Sequence, residues 1–320
     1  MTAAATSVVF AYSEVGARCL GALFEAGVDV RLVVTHQDDP NERRWFASVA
    51  EVARGAGSPV LTPEDPADPA LAATIAAIAP DFIFSFYYRR MLPAGILALA
   101  RKAALNMHGS LLPRYRGRAP INWAVLNGER ETGASLHYMV ARPDAGALVD
   151  QQAVAIGPDD TGFEVASRVA DAAVTVLARS LPSLIDGTAA ATPLDLERGS
   201  YFGGRTPADG EFDFGWPAER IHNLVRAVAP PFPGAFARLG AAVLRVHRTR
   251  RSEARARHAA AGPCLLVEAG VVHAECGDGA RLELVDVWLD DVALDAAYFQ
   301  KTFGHGPVPA HPRPRAQARA

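Results

Sequence analysis

The chain has 320 residues, a formal net charge of -3 and half of its residues hydrophobic. That length suggests about two domains, each with enough apolar residues for a core. No basic stripe dominates, which argues against a stable nucleic-acid partner. No run reaches the roughly 18 to 20 apolar residues of a membrane span, so no membrane insertion is expected. The three cysteines, Cys19, Cys264 and Cys276, are far apart and form no C-x-x-C. They point to a reducing compartment and away from a disulfide framework or a zinc site. The N-terminal apolar run is broken by Ser13, Glu14 and Arg18, a poor signal peptide, so the expected location is cytoplasmic.

In chain order, Ser7 to Ala11 reads as a first buried strand. A turn around Ser13 to Gly16 and a helix from Ala17 to Ala26 follow, with Gly27 ending the helix. Val28 to Thr35 is a second strand, so the chain opens β-α-β and predicts a parallel sheet. The first strand-to-helix turn lacks G-x-G-x-x-G, which leaves a nicotinamide or flavin cofactor unsupported. His36 to Pro40 is a polar loop at the end of the second strand, either a ligand loop or a plain connection. Arg44 to Gly55, Pro69 to Ala79 and Ala94 to Arg101 read as helices. Val60 to Thr62, Asp81 to Phe86 and Ala103 to Met107 read as strands. Tyr87 and Tyr88 follow a strand's carboxyl end and are either packing residues or the wall of a flat heterocycle's pocket.

Asn106 and His108 stand at the exit of the next strand. Period-two alternation sends both side chains to one side, beside Gly109-Ser110. Two polar groups meeting there mark a candidate functional site. Pro120 to Gly128 reads as a helix, Ala134 to Met139 and Ala147 to Ala155 as strands. Asp144 lies in the loop between these strands, before Ala145-Gly146. Gly162 to Leu184 reads as a long helix capped by Asp159-Asp160-Thr161.

Composition shifts after Ile185. The boundaries expected are residues 1-203 for a catalytic domain, 204-303 for a β-rich partial-barrel domain and 304-320 for a disordered tail. The arginine-rich patch from Arg245 to Arg257 reads as a solvated loop.

Chemically, an amide, an imidazole and an acid suit direct acyl transfer through a tetrahedral intermediate. Asn106 can donate to the developing oxyanion. His108 can stabilise it or protonate the leaving nitrogen. Asp144, if it reaches the imidazole, should raise the His108 pKa. Ser110 as a nucleophile is a weaker alternative, because no nucleophile elbow surrounds it.

The Asn106-x-His108 pair, the segment Ser110 to Gly117 (SLLPRYRG) and the later Asp144-Ala145-Gly146 resemble the folate-dependent formyltransferase family. The resemblance implies that family's fold, a Rossmann-like, mostly parallel α/β sheet with flanking helices and a smaller C-terminal β-rich partial barrel. It also implies a catalytic set of Asn106, His108 and Asp144, with no metal among the site residues. The co-substrate it implies is 10-formyltetrahydrofolate, held by Arg90, Met91, Leu92, Arg118 and the loop of Val140, Ala141, Arg142, Pro143 and Asp144.

Within the family the likeness is greatest to members acting on UDP-4-amino-4-deoxy-L-arabinose in lipid A modification and polymyxin resistance. It runs from Val8 to Phe236, and the C-terminal β-region resembles the family only loosely. Bifunctional members continue into a decarboxylating dehydrogenase domain that this sequence does not show, so that oxidation is expected on another polypeptide. The implied partner is a small nucleotide sugar; the oligomeric state is left open. Formyltransferases acting on methionyl-tRNA usually carry Gln-Arg where this chain has Asn122-Trp123. Another nucleotide-linked amino sugar, and a folate binder without transfer activity, complete the alternatives.

Overall fold

In a computed structural model of the protein, the described residues are 4-37, 44-258 and 262-310. They divide into two compact units. One comprises Met1–Ile121, Glu131–Ala155 and Ala166–Gly203; the other comprises Asn122–Arg130, Ile156–Val165 and Gly204–Ala320.

The chain begins β1 (Thr6–Ala11), α1 (Ser13–Glu25), β2 (Asp29–Val34), α2 (Val49–Gly55), β3 (Val60–Leu61), α3 (Pro69–Ile78), β4 (Phe82–Phe86), α4 (Ala94–Leu97) and β5 (Ala103–His108). It continues through the short β6 (Arg116–Gly117), α5 (Pro120–Leu126), β7 (Glu131–Tyr138), β8 (Leu148–Ala155), α6 (Gly162–Asp186) and the short β9 (Tyr201–Phe202). The first unit holds a seven-stranded sheet of order β3-β2-β1-β4-β5-β7-β8. Pairing is parallel from β3 to β5 and antiparallel at β5-β7 and β7-β8.

Every side chain of β4 (FIFSF) is buried. A strand covered on both faces has no polar alternation, because both directions lead into the core. Phe82, Phe84 and Phe86 stack along one face at 5.6 and 5.5 Å. On the other, Ile83 joins Val8, Phe10, Leu32 and Ile75 in a buried cluster. This rigid centre fixes the carboxyl ends of β1, β4 and β5.

Three helices differ from the sequence expectation. α1 starts at Ser13, so the stretch expected as a turn is helical. Gly16 is there for contact, not for turning: a Cβ on it would come within 3.1 Å of the Phe86 carbonyl oxygen. α2 starts only at Val49, since the Ser48 hydroxyl accepts from the Glu51 N–H and caps it. α4 is a single turn, after which the Arg101 N–H donates to the Pro80 carbonyl and leads the chain into β5. The long α6 begins as expected, with a capping box in which Thr161 and Glu164 bond each other's backbone N–H at 3.2 and 2.7 Å.

The second unit contributes α7 (Ala218–Val228), β10 (Ala235–Leu239), β11 (Ala242–Arg255), β12 (Cys264–Glu268), β13 (Val271–Glu275), β14 (Ala280–Leu289), β15 (Val292–Ala293), α8 (Ala296–Phe303) and β16 (Val308–Pro309). Its antiparallel partial-barrel sheet runs β10-β11-β14-β13-β12-β16, with β15 beside β14. Two expectations are corrected here. The arginine-rich patch is not a loop: β11 carries it through to Arg255, paired with β14. Leu244, Val246 and Thr249 are buried, while Arg245 and Arg250 reach Asp291 and Glu283 across the solvated side at 3.2 and 3.3 Å. Arginine stems suit a strand whose other face is covered. The tail is not disordered from Gly304 on, because Val308–Pro309 pairs with β12 and Ala310 is buried. Residues 311-320, and Asp38 to Pro40 of the polar loop, lie outside the described residues. Among those described, no helix is long and apolar enough to cross a membrane.

Candidate active site

Strand register brings the candidate residues together. β5 and β7 pair antiparallel with Asn106 opposite His137 and His108 opposite Ser135. Alternation then puts all four side chains on one face of the sheet, at the carboxyl end of β5. Asp144 enters from the loop after β7 with φ 48°, a left-handed conformation that Asp tolerates better than most residues. Gly146 lets that loop close, because a Cβ there would sit 1.8 Å from the Tyr138 carbonyl oxygen.

The Asp144 carboxylate lies 3.6 Å from His108 Nδ1 and 3.6 Å from His137 Nε2, and it accepts the Gly117 N–H at 2.8 Å. His108 Nε2 donates to the Tyr115 carbonyl at 2.8 Å. A neutral His108 therefore carries its lone pair on Nδ1, towards Asp144. His137 Nδ1 donates to its neighbour's carbonyl, Tyr138 O, at 2.8 Å, which leaves Nε2 to accept from the Asn106 amide at 3.1 Å. Asn106 keeps one amide N–H for another acceptor.

Burial decides the charges. Burial pushes the His108 pKa below its ordinary value; the Asp144 charge opposes this but does not overcome it. The expected rise in the His108 pKa is therefore corrected: an imidazole 8% exposed loses more from desolvation than it gains from a carboxylate 3.6 Å away. For Asp144, burial raises the pKa, but the two imidazoles and the Gly117 N–H outweigh it and bring the value down to about 2. The site thus holds one carboxylate and a neutral base.

The Ser110 nucleophile reading is also corrected. Ser110 is fully buried and its hydroxyl donates to the Arg114 carbonyl at 2.6 Å, so it braces the loop. Gly109 beside it accommodates Tyr87, whose hydroxyl would lie 1.9 Å from any Cβ at that position. Tyr87 and Tyr88 are packing residues: the Tyr87 hydroxyl is buried, and the Tyr88 ring stacks on His36 with centroids 4.2 Å apart. His36 Nε2 accepts the Arg89 N–H at 3.0 Å, and burial with Arg89 and Arg90 nearby lowers its pKa to about 4.

Arg90 and Met91 are exposed, whereas the Leu92 side chain is buried in the core with Phe10 and Tyr88. Leu92 therefore has only backbone to offer a ligand. The Arg118 guanidinium donates to the Arg89 carbonyl at 3.3 Å, which ties its loop to the one that follows β4. Val140, Ala141 and Arg142 are exposed, and Pro143 is half-buried ahead of Asp144.

One site residue, and one buried arginine in the adjoining β6, escaped the sequence reading. His137 bridges Asn106 and Asp144; its signal was alternation with Ser135 on a strand seven residues before Asp144. Arg116 is 5% exposed, and its Nε has no hydrogen-bond partner among the described residues. Nothing in the run Arg114, Arg116, Arg118 says which of the three is buried.

The family model described as formyl transferase matches residues 8-181, and that described as formyl transferase, C-terminal domain, matches residues 205-301. The chain belongs to the formyl transferase family. Solved structures of similar fold include an N-formyltransferase from Helicobacter canadensis in complex with folinic acid and dTDP-3-aminofucose. It has 16% identity and a TM-score of 0.67, with 88% of this chain and 99% of that one covered. Another is WlaRD, a sugar 3N-formyl transferase solved with dTDP and 5-N-formyl-THF, at 15% identity, TM-score 0.69 and coverage of 92% and 98%. A 4-N formyltransferase from Francisella tularensis matches at 18% identity, TM-score 0.59 and coverage of 73% and 92%.

Proposed function

We propose that this formyl transferase moves a formyl group from 10-formyltetrahydrofolate to the amine of a nucleotide-linked amino sugar, specifically UDP-4-amino-4-deoxy-L-arabinose. The observation that carries the chemistry is the meeting of Asn106, His108 and Asp144 at one strand end, with the base neutral and the acid ionised. Folate as co-substrate and a nucleotide sugar as acceptor are supported by the family and by the ligands named for the two folate-bound neighbours. The choice of UDP-4-amino-4-deoxy-L-arabinose rests on the stretches from Val8 to Phe236 that resemble enzymes acting on it.

The amine attacks the formyl carbon and a C–N bond forms. The carbonyl oxygen becomes an oxyanion and receives the free Asn106 N–H. One such preorganised donor contributes about 3 to 4 kcal/mol to a transition state. His108 Nδ1 takes the proton the amine must lose, and Asp144 holds the imidazolium so formed. The same proton passes to N10 of the folate as the old C–N bond breaks, which returns His108 to its neutral form. Arg90, Met91, Arg118, the Leu92 backbone and residues Val140 to Asp144 hold the folate in this reading, and the reaction is cytoplasmic.

The test is direct. The protein is incubated with 10-formyltetrahydrofolate and UDP-4-amino-4-deoxy-L-arabinose, and product is read by mass spectrometry. Gain of one formyl group, abolished in His108→Ala, is expected. Formylation of a dTDP-linked amino sugar or of methionyl-tRNA instead would overturn the acceptor and leave the chemistry standing. No formylation of any of the three would overturn both.

A further inference from the structure

A second cluster of reactive side chains lies in the other unit, on one face of its sheet. Pairing puts Cys264 opposite Glu275 and Glu275 opposite Arg281. The turn after β11 brings His258 over the same spot. Glu275 is 1% exposed, and its two carboxylate oxygens accept the Arg257 and His258 backbone N–H groups, each at 2.8 Å. Its Oε2 is 3.4 Å from His258 Nδ1 and 3.7 Å from Cys264 Sγ.

Arg281, also buried, sits 2.7 Å from Glu268 but only 3.9 Å from Glu275, and Arg257 likewise turns its guanidinium to Glu268 at 2.8 Å. Glu268 therefore takes the closer contact of both arginines, and the buried Glu275 carboxylate keeps Arg281 at 3.9 Å beside its two backbone N–H donors. His258 Nδ1 is itself buried and makes no hydrogen bond among the described residues, although part of the ring is exposed.

We infer that His258 Nδ1, Cys264 Sγ and a Glu275 carboxylate oxygen form a binding site for a divalent, thiolate-accepting transition-metal ion of the zinc type. All three ligand atoms lie within 4.8 Å of one another. Zinc bonds of about 2.3 Å to sulfur and about 2.0 to 2.1 Å to nitrogen and oxygen, at tetrahedral angles, require ligand separations of about 3.3 Å for N···O and about 3.6 Å for S···O. The observed 3.4 and 3.7 Å already match.

Binding replaces the proton on the Cys264 sulfur with the metal and releases that proton to solvent. Thiolate and carboxylate together then neutralise the dication, and the Arg281–Glu268 pair is left as it is. The partly exposed imidazole edge provides the entry path, and the fourth position belongs to water. Sequence spacing hides the site, because the Cys264–Glu275 separation and the His258 approach are set by a hairpin and a turn rather than by a C-x-x-C.

The experiment is a Co2+ titration of the full chain after dialysis against a chelator, followed by optical absorption and by thermal unfolding with and without Zn2+. One equivalent of Co2+ should bind with a thiolate-to-cobalt charge-transfer band. The band should vanish in Cys264→Ser and persist in Cys19→Ser and Cys276→Ser. His258→Gln alters a partly exposed side chain and should fold normally. It should weaken binding by more than the roughly 10- to 100-fold that loss of an outer-sphere partner costs, and it should lose the Zn2+-dependent rise in Tm. Absence of saturable binding to the wild-type chain, or a band that survives Cys264→Ser, would overturn the site. Neither readout involves formyl transfer.

Discussion

Asp144, half-buried, and Glu275, buried, are both carboxylates beside imidazoles, and their surroundings differ in ways that bear on the uses proposed for them. Around Asp144 both partners are imidazoles sealed from water, 8% and 2% exposed, and burial holds the His108 pKa down. The carboxylate accepts one backbone N–H, from Gly117, and its pKa lies at about 2, while burial keeps the His108 pKa below its ordinary value. Around Glu275, burial again opposes the charge, but two backbone N–H bonds come next and hold the pKa below the usual carboxylate range. Its imidazole is open to solvent and a thiol completes the cluster. A sealed base poised to accept a proton suits catalysis; an anion beside a part-exposed imidazole and a thiol suits a cation.

The sharpest way to break this contrast is Asp144→Asn. It should lower kcat by roughly 10²- to 10⁴-fold, the usual contribution of proton transfer. Asp144 also raises the His108 pKa against the larger effect of burial, so its loss should move the acid limb of kcat/KM to lower pH. A limb that stays in place would detach His108 from that limb. The counterpart in the second unit is Glu275→Leu. It leaves the Arg257 and His258 backbone N–H groups without their acceptor and should cost about 1 to 3 kcal/mol for each in urea unfolding, with kcat unchanged in the folded fraction. A loss of kcat there would erase the division of labour.

A smaller effect tests the packing beneath the site. Gly109→Ala drives a methyl into the Tyr87 hydroxyl and should destabilise by about 1 to 3 kcal/mol. Tyr87→Phe removes that buried hydroxyl, unbonded among the described residues, and should recover most of the loss, read as Tm of the double variant. If the pair is additive instead, the two groups do not meet.

The smallest effect is on pH. His36, His108, His222 and His273 all have pKa values below the ordinary 6.5, with burial the first cause in each and His36 at about 4. The unfolded chain then binds more protons than the folded one below pH 6.5, so stability should fall as pH drops from there towards 4. Urea unfolding at pH 7 and pH 5 checks this; equal midpoints would mean the imidazoles are not held neutral.

The sequence reading recovered the parallel β-α-β opening, the buried β4 and the strand exit that carries Asn106 and His108, because these depend on local periodicity. It mistook Gly16 for a turn and Arg245 to Arg257 for a loop. In both cases the residue type suggests an exposed segment, and only a neighbouring strand shows otherwise. His137 and Arg116 were missed for the same reason: neither type nor spacing says which of several polar residues a partner strand will cover.

What the sequence determined by itself was the chemical kit, an amide, an imidazole and a carboxylate in fixed order, together with the family those motifs mark. Period and residue type are local, and they survive without knowledge of the partner. Tertiary structure alone decided the protonation states and the company each group keeps. The seat of His137 opposite Asn106 and the pairing of Cys264 with Glu275 arise from antiparallel register, and the turn after β11 and the loop after β7 bring His258 and Asp144 to them. Register is a property of strand pairs, and a single strand's sequence does not contain it.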